Sequence, residues 1–525
     1  MGVKGFINGK IYLSYAPLIL ADAILVQDSR VLYAGSSSRV SELTRALNGD
    51  IINLDGKVVI PGFIDAHVHM DSMGLALTTL DLRDVRSIFE LKNKLKEYVE
   101  RTKPRFVIGR GWDHELFVDK RYPMRQDIDD VVSDIPVLLI RVCGHMALLN
   151  TKGLKYTGLA NSLDRGIIRS EQGDLTGIIV ENAVGEAYKK FTESMEVDEL
   201  VGHLKKAQAY LLSHGVTTVG FVSCGLRVFR ALLELWSRNE LRIRVRVYFS
   251  PTSDGLDVAK HLADLGLKLG FGDSFLRIMG IKLFMDGSLG ARTAWLTEPY
   301  EDQPGTRGYQ VLEREELYRV AKKVDEAGLQ LAVHAIGDKA IESVLGVYVE
   351  LGNTRKLRHR VEHVSVLRDD LLNEMSRIGA VAVVQPRFII SDWWAVHRLG
   401  PRRMRWLYRF KTMLEKNIAM AFSTDAPVES PDPWETIYAA ITRGKYEKSP
   451  TYDYTNNECL SLIESLDTYT RGASYAIHSE NEIGTLLPGS YADFVIVDRD
   501  PLNLLDKEIR SIKVLETYVG GERVY

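Results

Sequence analysis

The chain has 525 residues, 45% of them apolar, enough to bury a large core as about two to four domains or as one large barrel with additions. Its 67 basic and 70 acidic side chains leave a net charge of -3, so no field is available to hold DNA or RNA, and a nucleic-acid partner is excluded. No stretch approaches the roughly 20 apolar residues that cross a bilayer, and MGVKGFINGKIYLSY lacks an apolar signal core; the chain reads as soluble, cytoplasmic and without a membrane partner.

Residues 1–60 read as a small all-β unit. FINGKIYL, ADAILVQDSRVLYAGSS and DIINLDGKVVI alternate apolar and polar residues and are broken by Asn-Gly, Ala-Gly and Asp-Gly turn signals. This is too little chain for a core of its own. The C-terminal stretch, GTLLPGSYADFVIVDRDP followed by SIKVLETYVGGERVY, has the same character. Since chain termini commonly lie close together, residues 1–60 and 476–525 are expected to complete one β-sandwich.

At Pro61 the pattern changes. PGFIDAHVHM is a Pro-Gly turn and a short apolar run carrying His67 and His69, which share a face if the run is a strand and are then close enough to bind one metal ion. By itself an HxH pair is equally the mark of an exposed strand. Seven further strand candidates follow, at 215–223, 242–250, 280–287, 329–338, 359–366, 380–389 and 418–427. Helical patterns such as HLKKAQAYLLSH and REELYRVAKKVDEAG fall between most of them. Eight near-continuous apolar strands alternating with helices predict a parallel (β/α)8 barrel over residues 61–475.

The interval between the first two strands, about 80–196, is longer than one helix needs and carries its own helical segment and strand candidates. Insertions after barrel strands sit at the C-terminal face, so a cap or substrate-binding insertion is expected. Cys143, Cys224 and Cys459 are far apart and form no CxxC, which predicts reduced thiols and no thiolate zinc site.

Polar residues recur at the predicted strand ends. Lys282 lies in the apolar run MGIKLF, His334 in VHAIGD, His363 in VEH and Asp425 in STDAP. Each alone fits a core or snorkelling residue, but with the first pair they would converge on one mouth of the barrel. For substrate contacts, the candidates are His145, Trp112 and Asp113 in the insertion and Asp286 and Arg292 after the fourth strand. Trp393 and Trp394 could wall an apolar pocket, and RRMRW at 402–406 reads as a solvated helix face.

Together PGFIDAHVHM, GIKLFMDGSLGARTA, VHAIGD, VEH and FSTDAPV resemble the metal-dependent amidohydrolase superfamily, in the branch related to N-substituted formamide deformylase. The resemblance extends through the GWD and GHMALLN segments to the ending TYVGGERVY. It implies a (β/α)8 TIM barrel beside a β-sandwich, with His67, His69 and Asp425 on one divalent metal and His334 and His363 on the other. Lys282, carboxylated by carbon dioxide, would bridge two ions, with zinc foremost.

The reaction implied is hydrolysis of a non-peptide carbon–nitrogen bond in a small molecule by a metal-bridging hydroxide, with Asp425 as the catalytic proton carrier and a homodimer as the oligomer that relatives suggest. Alternatives within the superfamily are a two-metal esterase, lactonase or phosphotriesterase and a one-metal deaminase, which usually lacks the lysine. A non-catalytic binding or regulatory relative is the alternative from another class.

Overall fold

The structure, a computed structural model, describes residues 2–142, 146–162, 166–180, 182–253 and 256–525. The apolar runs become eight parallel strands: β1 (Phe63–Val68), β2 (Val216–Cys224), β3 (Arg244–Phe249), β4 (Leu276–Phe284), β5 (Gln330–Ala335), β6 (Arg360–His363), β7 (Val381–Val384) and β8 (Met420–Phe422). Neighbours pair in chain order. Beyond the end of β8 the chain returns to β1, where Asp425 N–H donates to the His67 carbonyl at 3.0 Å and His69 N–H to the Ala426 carbonyl at 2.9 Å. The buried Asp65 carboxylate strengthens this seam, accepting from Thr424 N at 3.1 Å and Thr424 Oγ1 at 2.5 Å. The result is a TIM barrel.

Strand alternation sorts the side chains. Ile64 and Ala66 turn to a core with Val381, Val383, Ala421, Ala473 and Ile477, whereas Asp65 and His67 take the opposite face. At Gly220 in β2 a Cβ would lie 2.1 Å from the Ala66 carbonyl oxygen, so the close approach of β1 and β2 requires glycine there.

Two sheets accompany the barrel. One has the order Arg30–Gly35, Ala23–Gln27, Lys4–Ile7, Asp50–Asn53; the other runs Glu522–Arg523, Val514–Val519, Phe494–Val497, Val58–Pro61, Lys10–Tyr15, Leu18–Ala21. Thus a C-terminal strand, Phe494–Val497, pairs with the N-terminal strand that leads into β1. The sheets share a core in which Phe6 meets Phe494 edge-on at 5.0 Å and Phe494 stacks on Tyr518 at 4.5 Å.

Gly74–His203 forms a compact unit of its own. Its sheet has the order Ile167–Arg169, Leu175–Val180, Met146–Leu149, Val137–Arg141, Val107–Trp112, Leu80–Asp81. Helix Ile88–Thr102, capped by the Ser87 side chain on Glu90 N–H, buries Ile88, Leu91 and Leu95 in the core beneath that sheet. Among the described residues, Cys224 and Cys459 are free, and no helix is long and apolar enough to cross a membrane. Cys143 lies outside the described residues.

Candidate metal centre

His67 and His69 stand at the end of β1 because two residues of extended chain return a side chain to the same face. Their Nε2 atoms lie 3.2 and 3.1 Å from Asp425 Oδ1, and one donor atom from each of the three residues falls within 4.8 Å of the others. Asp425 reaches this point through a left-handed backbone, φ 58°, just beyond β8. A non-glycine residue there is uncommon and is held by the seam hydrogen bonds. Burial works to raise the Asp425 pKa, but the neighbouring His67 and His69 hold it well below the usual carboxylate range.

The other predicted residues arrive from β4, β5 and β6. Lys282 is fully buried, and among the described residues its Nζ has no hydrogen-bond partner. Burial lowers its pKa to about 8 against the pull of Glu362 and Asp425. The rings of His334 and His363 are 4.4 Å apart, and His363 is 5.1 Å from His67, so the imidazoles form one cluster. Burial pushes His363 down to about 3 and His334 well below the ordinary histidine value, which keeps both rings neutral, the form that ligates metal. The run expected to continue to residue 366 ends at His363, because His363 and Val364 take φ of 74° and 48° and turn the chain out of β6.

Each of three imidazoles is held by its rear nitrogen. His67 Nδ1 is 2.5 Å from Glu362 Oε2, His363 Nδ1 is 2.7 Å from Gln385 Oε1, and His334 Nε2 is 2.9 Å from the Gly287 carbonyl. These contacts leave His67 Nε2, His363 Nε2 and His334 Nδ1 as lone-pair donors. Gln385 is fixed in turn by donating to Ser423 Oγ at 2.8 Å. Sequence reasoning missed Glu362 and Gln385. The signal was present for Glu362, an acid directly before His363 in the VEH run.

The remaining candidates are placed elsewhere. Asp286 is buried, and its two oxygens accept from Trp295, Ile336 and Gly337 N–H at 2.8–3.0 Å, tying the loop after β4 to the loop after β5. Burial pushes its pKa up to about 7, while those donors favour the anion. Arg292 is engaged with Asp302 at 2.9 Å. Trp112 is fully buried in the core of the Gly74–His203 unit, its indole N–H on the Leu139 carbonyl at 2.9 Å, which leaves it no face for a ligand. Asp113 caps the short helix after it and pairs with Arg141 at 2.6 Å. His145 lies outside the described residues.

Trp393 is half exposed, and Trp394 packs beneath Arg398. The basic run is not a solvated face throughout: Arg403 is buried and donates to the Leu399 carbonyl at 2.6 Å, because Gly400 and Pro401 break the helix and turn it inward. One residue not foreseen is Arg387, in the loop after β7. Its Nε and Nη1 are buried and, among the described residues, have no hydrogen-bond partner, with Glu435 and Glu429 at 3.7 and 3.9 Å. The next residue, Phe388, lies 6.5 Å from the His363 ring.

Imidazoles, an ionised carboxylate and two buried polar atoms that have no hydrogen bond among the described residues, Lys282 Nζ and Asp425 Oδ1, are a donor set that fits divalent cations and is costly without them. The sequence profile of the amidohydrolase family matches residues 50–525. The chain belongs to the amidohydrolase family. As an amidohydrolase it hydrolyses carbon–nitrogen bonds with a metal cofactor. It is 31% identical to YtcJ of Bacillus subtilis, across 96% of both chains, and 24% identical to the N-substituted formamide deformylase of Arthrobacter pascens, across 95% of this chain and 94% of the relative. Among solved structures, an uncharacterized metal-dependent hydrolase from Pyrococcus horikoshii is 39% identical and superposes with a TM-score of 0.85, covering 96% of this amidohydrolase and 99% of the other chain.

Proposed function

We propose that this amidohydrolase cleaves a non-peptide amide in a small molecule, with N-formyl and N-acyl amines as the substrate class, at a two-metal centre. The reading is carried by one observation: four imidazoles, one ionised carboxylate and a buried lysine with no hydrogen-bond partner among the described residues share one mouth of the barrel. The deformylase relative supports the substrate class. His67, His69 and Asp425 would hold one ion, His334 and His363 the other, with Lys282 between them; the chemistry supplied there is Lewis acidity, which acidifies water and polarises a carbonyl. Zinc suits the nitrogen and oxygen donors.

Lys282 enters this scheme as a carbamate. Its neutral amine attacks carbon dioxide: the carbon–nitrogen bond forms as one carbon–oxygen π bond opens, the nitrogen loses one proton, and the neutral amine becomes an anion with two oxygen donors. Burial favours the neutral amine that this step needs. Asp425, kept ionised, accepts the proton of the attacking water and delivers it to the departing nitrogen. Arg387 donates its open N–H groups to an acceptor on the substrate. A homodimer, which rests on the family resemblance alone, and a cytoplasmic setting, which rests on the expectation of reduced thiols, complete the reading.

The test is a turnover screen of the zinc-loaded protein against N-formyl, N-acyl, cyclic amide, ester and phosphotriester libraries, with bound metal counted. Turnover of the amides with about two ions per chain is expected. Activity confined to esters and phosphotriesters overturns the amide assignment, and a protein that binds no metal overturns the centre.

A further inference from the structure

The three inward imidazoles are supported by three different groups, and the difference is one of charge. His363 has a neutral amide behind it and His334 hydrogen-bonds a backbone carbonyl, with the Asp286 carboxylate standing off at 3.5 Å, but His67 is hydrogen-bonded directly to the carboxylate of Glu362. That carboxylate is not free to move. Arg360, two residues earlier on the same face of β6, grips it with Nε on Oε1 at 2.7 Å and Nη2 on Oε2 at 2.8 Å. Arg360 Nη2 also donates to the Ala66 carbonyl of β1 at 2.9 Å, and the guanidinium lies 4.4 Å over the Tyr248 ring. Tyr248 in turn donates to Gln330 Oε1 at 2.7 Å. Arg360, Glu362 and Gln330 have no exposure at all, so the barrel interior holds a fixed column of polar groups that ends on His67.

We propose that Glu362, fixed by Arg360, is a positioning residue that makes the His67–His69–Asp425 position the tighter of two metal positions, so that the centre loads in steps. This rests on the two-metal reading above. An anion accepting the rear N–H of an imidazole fixes the ring and raises its basicity as a ligand, and loss of such a partner typically costs 10–100-fold in metal affinity. Asp425 adds a second anion to the same position. The other position has two imidazoles whose hydrogen-bond acceptors are uncharged; the Asp286 carboxylate, 3.5 Å from His334 Nε2, is already taken up by three backbone N–H groups, and an anion at the position itself exists only after Lys282 is carboxylated.

Competition of the metal-free full-length protein with a chromophoric chelator for zinc tests this. The wild type is expected to show two binding steps. Glu362→Gln, which keeps an acceptor and removes the charge, should weaken the tighter step at least tenfold and leave the weaker one in place. Because that variant leaves Arg360 buried and unpaired, Arg360→Met/Glu362→Gln is measured beside it; it removes both charges and should show the same loss at the tighter step. Melting temperatures of the metal-free forms separate this loss from loss of fold. A change below threefold at the tighter step in the variant that folds, or a loss confined to the weaker step, overturns the proposal. A wild type that takes up no zinc overturns the metal-centre reading instead.

Discussion

The two ends of the barrel bury similar side chains and use them in opposite ways. At the end where the strands begin, Arg244 and His359 have their polar atoms engaged. Arg244, first residue of β3, meets Asp493 through Nε at 2.6 Å and Nη2 at 2.9 Å, donates from Nη1 to the Ser274 carbonyl at 3.1 Å and stacks on Tyr491 at 4.1 Å. Asp493 also accepts Gly520 N–H at 2.7 Å, which ties the C-terminal strand pair to the barrel. His359, one residue before β6, has Nε2 2.9 Å from Asp325 and accepts Leu331 N–H on Nδ1 at 3.1 Å. At the end where the strands finish, His67, His334 and His363 each have one nitrogen hydrogen-bonded and the other facing the cluster, and Lys282 Nζ and Asp425 Oδ1 have no hydrogen-bond partner among the described residues. A histidine with both nitrogens engaged braces the fold; one with a single nitrogen engaged is aimed at something else.

Substitutions at the two ends should therefore fail differently. The largest effect is expected for Asp425→Asn, which keeps shape and removes the proton acceptor of the proposed mechanism. Turnover on the best screened amide should fall about 10³-fold or more while the melting temperature stays close to wild type. Near wild-type rates with bound metal confirmed would remove Asp425 from the chemistry. Asp493→Ala makes the reverse case. It leaves Arg244 buried without its anion, so unfolding in urea should show a loss of about 3–5 kcal/mol, with kcat of the folded fraction unchanged. If instead kcat falls and stability holds, the two ends are not divided as described.

What could be read from the chain follows the same division. The ligand candidates were legible because each lies in the last residues of a strand-like run or just beyond it, and such runs end at one face of a barrel. Their supports were not. Glu362 and His67 are 295 residues apart, and only the closed barrel brings them together. Strand ends were legible where a turn signal marks them and not elsewhere: β4 starts at Leu276, before the expected residue 280, because Arg277, which reads as a break, is paired with Glu482. Trp112 shows the limit for substrate contacts, since a tryptophan that packs a core and one that walls a pocket look alike until its neighbours are known.

Arg387 extends the comparison beyond the candidate ligands: at the open end its Nε and Nη1 have no hydrogen-bond partner among the described residues, with Glu435 and Glu429 at 3.7 and 3.9 Å, where Arg244 at the closed end is hydrogen-bonded through all three nitrogens. Arg387→Met preserves length and removes the donors. KM for the amide substrate should rise roughly tenfold, the worth of one charge-assisted hydrogen bond, with kcat changed far less. A fall in kcat at constant KM would place the residue in the chemistry, and no change in either would leave it outside the pocket.

The smallest effect is a matter of pH at the closed end. His478 donates from Nε2 to the Leu357 carbonyl at 3.0 Å, and burial lowers its pKa from 6.5 to about 4. Between those values the unfolded chain takes up a proton that the folded ring refuses, so this group's contribution is complete above pH 6.5 and is lost as the pH falls toward 4. His478 has a left-handed backbone, φ 52°, which asparagine tolerates, so His478→Asn can remove the titration without forcing the chain. Urea unfolding at several pH values should then show a shallower acid decline in the variant, by roughly 1 kcal/mol across that window, because the ring keeps some solvent contact. Parallel declines in the two proteins would assign the acid sensitivity to the other buried histidines.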